Sequence, residues 1–116
     1  MHIPSEIAGL IERLNQELNE MEREATDGLA LTRTIVDRSP NNFTAIQLLA
    51  FWKTTLFFVE TSRNRIPSLR EDISLSEVTA KQAVKDAAES LATELVRVLE
   101  TKTEVSGVKN RLEKWQ

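Results

Sequence analysis

Cysteine and tyrosine are absent from this chain of 116 residues, and histidine occurs once, as His2 near the N-terminus. Without cysteine there is no disulfide, no thiolate metal site and no thiol nucleophile. A lone terminal histidine leaves no partner for an imidazole metal centre and no credible base for a Ser-His-Asp arrangement. Glycine and proline number three each. That scarcity removes glycine-rich phosphate loops and leaves few points at which helices must stop. Excess positive charge is also missing: 15 basic residues face 18 acidic ones, and the pI is about 5.2. A dedicated nucleic-acid binder draws its affinity from a basic field over phosphates, so this balance disfavours one.

Long apolar runs are lacking too. The most apolar stretch, Leu48 to Val59, is interrupted by Lys53, Thr54 and Thr55 and is shorter than the ~20 residues a bilayer span requires. The N-terminus has neither the basic segment nor the apolar run of a secretory signal, so a cytoplasmic location is the expectation. With 41% apolar and 28% charged residues, the chain has enough material for a folded core. The length suits a single domain over residues 1–116.

Three helical segments carry the periodicity. The first is predicted from Ser5, as N-cap, to about Arg38. Its apolar residues Ile7, Ile11, Leu14, Leu18, Met21 and Ala25 step by four and three, as in a coiled-coil seam. The register then meets Gly28 and Thr32, where the seam weakens, and Asp27-Gly28 marks a kink, a break or a close helix approach. The second helix is predicted from Ser39-Pro40, with Asn41 and Asn42 as competing caps, to about Asn64. Pro67 then implies a loop from Arg65 to about Ile73, because a proline disfavours helical geometry in the residue before it. Five of the six aromatics lie in this helix, which is apolar nearly all round. A capping box, Ser74 to Glu77, predicts the start of the third helix. Its register runs through Val84, Ala88, Leu91, Leu95 and Val98, meets Lys102 and Lys109, and returns at Val105 and Leu112. The pattern leaves open whether this helix continues past Gly107 or gives way to a short fourth one.

The expected architecture is an all-α bundle of three long helices with coiled-coil-like packing. Such a bundle covers only about half the girth of the second helix. Burying a Phe or Leu stabilises by about 1.5–3 kcal/mol, so the uncovered remainder favours association, most simply as a two-fold homodimer with the second helices at its centre. The seam of the first helix is the alternative subunit contact. Phe51, Trp52, Phe58, Leu112 and Trp115 are the candidate interface residues. The outer stripe of the first helix (Glu12, Glu20, Arg23) and the tail of the third (Lys109, Leu112, Trp115) are candidate contacts for another protein.

Residues 1–40 carry four basic and eight acidic side chains, a net of −4, so the first helix is the acidic element. Glu17, Glu20, Glu24 and Asp27, spaced three, four and three, fall on one helical stripe. The spacing resembles the acidic motif of the all-α nucleotide pyrophosphohydrolases, which set paired acidic motifs on two facing helices. That resemblance implies magnesium held against a nucleoside triphosphate. It covers barely a tenth of the chain, and the second motif has no counterpart: Glu71-Asp72 falls in the expected loop, and Glu89 and Glu94 are five apart. A solvated face opposite the seam is the plainer reading. Di-iron chemistry fails for want of Glu-x-x-His pairs. Lys53, within the apolar helix, reads as a lysine that reaches water or a carboxylate rather than a catalytic amine. Trp52, Phe57 and Phe58 read as core or interface residues before pocket lining. Arg63, Arg65 and Arg70, and at the other end Lys109, Arg111 and Lys114, are the two sets that a DNA-associated regulator would use, but acidic residues are interspersed among both. No catalytic, cofactor-binding or metal-binding residue is assigned. The function expected is that of a non-catalytic protein-protein interaction or adaptor module.

Overall fold

A computed structural model describes residues 5–75 and 80–115; the side chains of 69–81, 83 and 115 fall outside that description. The described residues form three α-helices: α1 (Ser5–Arg38), α2 (Phe43–Leu75) and α3 (Ala80–Trp115). They pack as an up-down-up three-helix bundle measuring 61 × 19 × 16 Å between Cα extremes. At ~1.5 Å per residue a helix of this length spans about 50 Å, so the bundle is one helix long and one layer of neighbours thick.

The boundaries follow from local chemistry. Helix α1 has Glu6 in its first turn and Arg38 in its last, each of the sign that complements the helix dipole. It closes where Ser39 N–H donates to Ile35 C=O at 2.8 Å. Ser39 is not the cap of α2, contrary to expectation. Its carbonyl accepts from Asn42 N–H at 3.0 Å, closing a β-turn with Pro40 in the second position. Asn42 is the cap: its Oδ1 accepts from Ala45 N–H at 3.1 Å.

Two further expectations are corrected. Helix α2 does not stop near Asn64 but runs through Pro67 to Leu75. An internal proline costs a helix about 3 kcal/mol, and here Arg63, Arg65 and Ile66 tie the turns before it to α1 and α3. Ser74 therefore lies in the last turn of α2 instead of capping α3; Ser76 and Glu77, the rest of that expected capping box, lie outside the described residues. Helix α3 passes Gly107 without interruption, so no short fourth helix exists among the described residues.

The core is a stack of three heptad-like seams. From α1 come Ile7, Leu14, Leu18, Met21, Ala25, Gly28 and Thr32. From α3 come Ala87, Leu91, Leu95, Val98, Val105 and Leu112. The α2 seam is Ala45, Trp52, Thr55, Val59, Ser62 and Ile66, with half-buried Leu48 completing the 3-4 spacing. The α1 seam does not fade after Ala25. Gly28 lets Trp52 approach so closely that a Cβ there would lie 2.5 Å from the indole, and α1 continues unbroken. Asp27-Gly28 is thus a close helix approach, with the hollow filled from α2. The indole Nε1–H donates to Thr32 Oγ1 at 2.9 Å, and that hydroxyl donates to Gly28 C=O at 2.7 Å. The polar end of the tryptophan is satisfied inside the core.

Candidate interaction surface

The face of α2 opposite its seam is unusual. Two of the six inward positions are hydroxyl residues, Thr55 and Ser62, whereas Phe43, Ile46, Ala50 and Phe57 point outward. Phe43 is 70% exposed, Phe57 69% and Ile46 46%. At ~100° per residue these positions cluster on the side away from Trp52 and Val59. Each inward hydroxyl is satisfied: Thr55 donates to Phe51 C=O at 2.9 Å, and Ser62 Oγ donates to Glu94 Oε2 at 2.7 Å. The helix therefore buries a mixed seam and displays aromatic surface. Each Phe carries roughly 150–250 Å², so the displayed face approaches the few hundred Å² at which an apolar patch on a monomer marks an interaction site.

The candidate interface residues divide. Trp52 is fully buried and Leu112 is 2% exposed, both inside the core of this one chain. This corrects their expected place: they are engaged by their own chain before any second copy arrives. Phe51 and Phe58 are half-buried at the margins of α2, and Phe51 stacks edge-on against Trp52 with ring centroids 5.0 Å apart. The side chain of Trp115 lies outside the described residues. Phe43 and Ile46, which are not among the expected interface residues, and Phe57, expected in the core or an interface, are the exposed apolar residues of α2. The signal that finds them is the 3-4 spacing of Ala45, Leu48, Trp52, Thr55, Val59, Ser62 and Ile66, hidden by two hydroxyl residues in the seam.

The acidic stripe of α1 meets polar side chains of α3 along its length. Lys102 of α3 is hydrogen-bonded to both Glu17, at 2.8 Å, and Glu20. Ser106 donates to Glu24 at 2.7 Å, and Lys109 lies 3.7 Å from Asp27. The two lysines that interrupt the α3 seam in sequence are thus the residues that meet the α1 carboxylates, and a polar seam runs beside the apolar one. The Lys102 ammonium holds the Glu20 carboxyl below its ordinary value, chiefly through their hydrogen bond. Its bonds to Glu17 and Glu20 in turn raise Lys102. On the α1–α2 side, Arg63 donates to Glu22 at 2.5 Å and to Asn19 at 2.7 Å, and that bond to Arg63 lowers Glu22. Among the described residues no group of three or more His, Cys, Asp or Glu side chains could hold a metal ion, and His2 lies outside them.

Of the basic sets, Arg63, Arg65 and Lys109 are likewise engaged, whereas Arg111 and Lys114 are exposed. Arg63 serves α1, Arg65 bonds Glu94 at 3.2 Å, and Lys109 sits between Asp27 and Glu113. They lie on continuous helices, not around a loop, and the side chain of Arg70 falls outside the described residues. Lys53 is exposed, as are Glu12 and Arg23. Among the described residues no helix is long and apolar enough to cross a membrane.

Helices α2 and α3 leave an open groove of about 1070 Å³ between them, bordered by Phe57, Glu60 and Arg65 on one side and Asp86, Glu89 and Arg97 on the other. Its floor holds Glu94, a carboxylate 6% exposed. Arg65 and Arg97 both converge on Glu94 Oε1, at 3.2 and 3.7 Å. Comparison with protein-family models, with curated proteins and with solved structures gives no match. What the chain displays must therefore be interpreted from its own surface, as an all-α three-helix bundle.

Proposed function

We propose that this chain is a non-catalytic helical interaction module that self-associates as a homodimer through the outer face of α2 and presents its remaining helix surfaces to another protein in the cytoplasm. The observation that carries the reading is the exposure of Phe43, Ile46 and Phe57 on a helix whose opposite face is already packed. Covering each such side chain stabilises by about 1.5–3 kcal/mol. A second copy offers the same stripe and closes the assembly with a two-fold axis. Ala50, midway between Phe43 and Phe57, is small enough for two α2 helices to approach closely there. Engagement of the α1 carboxylates by α3 cations supports a structural role for that stripe over magnesium chemistry.

Solution mass by light scattering tests the reading on the wild type, Phe43→Glu and Phe57→Glu. Both positions are outside the core, so the variants keep full helicity. The expected result is twice the 13.2 kDa chain mass for the wild type and a single chain for each variant. A wild type that stays monomeric at high concentration contradicts self-association through this face.

A further inference from the structure

The groove between α2 and α3 is a second surface, and its charge is one-sided. Its two arginines, Arg65 and Arg97, are turned onto Glu94 at the floor. Glu60 on α2 and Asp86 and Glu89 on α3 are exposed at its borders, and none of the three forms an ion pair among the described residues. Asp86 accepts only from the Gln82 amide of its own helix, at 2.8 Å. Phe57, 69% exposed, supplies an apolar wall at one end. From Phe57 to Ser68 the α2 border rises about 17 Å, or three helical turns. Because α1 covers the other side of both helices, the groove lies where a fourth helix would complete a bundle.

We propose that this groove binds a basic amphipathic helix of a partner protein, seating its apolar face on Phe57 and its Lys or Arg side chains on Glu60, Asp86 and Glu89. Charge complementarity selects the occupant: an acidic helix would meet three carboxylates that form no ion pair among the described residues, whereas a basic one would neutralise them. Helix-in-groove docking requires an apolar anchor and flanking charges, and both are present. Phe57 belongs to both surfaces, so the helix and a second copy compete for it, and the proposal is one for the single chain.

The test uses a fluorescein-labelled synthetic peptide of about 22 residues, beyond the length at which isolated helices are marginal, with leucine on one face and lysine on the other. Its binding to the full chain is followed by anisotropy, and repeated on Phe43→Glu so that association state does not decide the result. The expected outcome is saturable binding that weakens with salt and falls about tenfold when Glu60→Lys and Glu89→Lys are combined. Glu12→Lys with Glu104→Lys makes the same change in net charge on exposed sites elsewhere and leaves binding within about twofold. Phe57→Ser weakens it as well. Absence of saturable binding, or equal loss in the two charge-reversed pairs, overturns the proposal. Unchanged affinity in Phe57→Ser also overturns it, because the groove would then attract polycations at large.

Discussion

Trp52 occupies the space that a side chain at Gly28 would need. The indole carbons would lie 2.5 Å from a Cβ at that position, and the backbone of α1 is their packing surface. The pair fixes how closely α1 and α2 approach, and through it which face of α2 turns inward.

Gly28→Ala is therefore expected to destabilise the chain by about 1–3 kcal/mol, as overpacking of a filled core does. Gly107→Ala gives the opposite sign. A Cβ there meets nothing within 4 Å, and alanine in an exposed helix interior stabilises by about 0.5–1 kcal/mol. Thermal unfolding followed by circular dichroism at one fixed protein concentration measures both.

Thr32 carries the other half of the tryptophan contact. Thr32→Val keeps the shape but strands the buried indole N–H, at an expected cost of about 1–3 kcal/mol. Thr32→Ser keeps the hydroxyl and loses one methyl, at about 1 kcal/mol. If valine is tolerated as well as serine in denaturant titrations, the hydrogen bond contributes nothing and the core does not read the polar edge of Trp52.

Stability should be flat across neutral pH and fall at both extremes. Glu20 and Glu22 are lowered from 4.5 by hydrogen bonds from Lys102 and Arg63, so their contribution is full above 4.5 and is lost as pH falls through their depressed values. Lys102 is raised from 10.5 by hydrogen bonds to Glu17 and Glu20, so its contribution is full below 10.5 and is lost as pH rises through the raised value. Melting temperature against pH checks this, and Lys102→Met should flatten the alkaline limb while leaving the Glu22 part of the acid limb.

Much of the fold was legible in the sequence because α1 and α3 separate apolar from charged residues cleanly. The limits of α1, its seam from Ile7 to Ala25, and the return of the α3 register at Val105 and Leu112 follow from periodicity, whereas the extension of the α1 seam through Gly28 and Thr32 depends on Trp52 from α2. Even the lysines that interrupt that register were visible, although their partners on α1 were not, since pairing across 82 to 85 residues leaves no local trace. Helix α2 misled for two physical reasons. Pro67 is a strong local stop that tertiary anchoring overrides. The inward face is marked by spacing, not by hydrophobicity, because Thr55 and Ser62 are buried while Phe43 and Phe57 are not. The groove with Glu94 at its floor was invisible, as its borders come from residues far apart in the chain.

The central claim, that α2 displays an aromatic face which a second copy covers, is tested most directly by oxidative cross-linking. The chain has no cysteine, so Ala50→Cys places one thiol at the middle of the exposed stripe, and Ala8→Cys places one on the exposed side of α1. The account predicts rapid formation of a disulfide-linked dimer from Ala50→Cys and slow, concentration-driven oxidation of Ala8→Cys. Equal rates for the two would mean that the outer face of α2 does not meet its own copy, and would contradict the account.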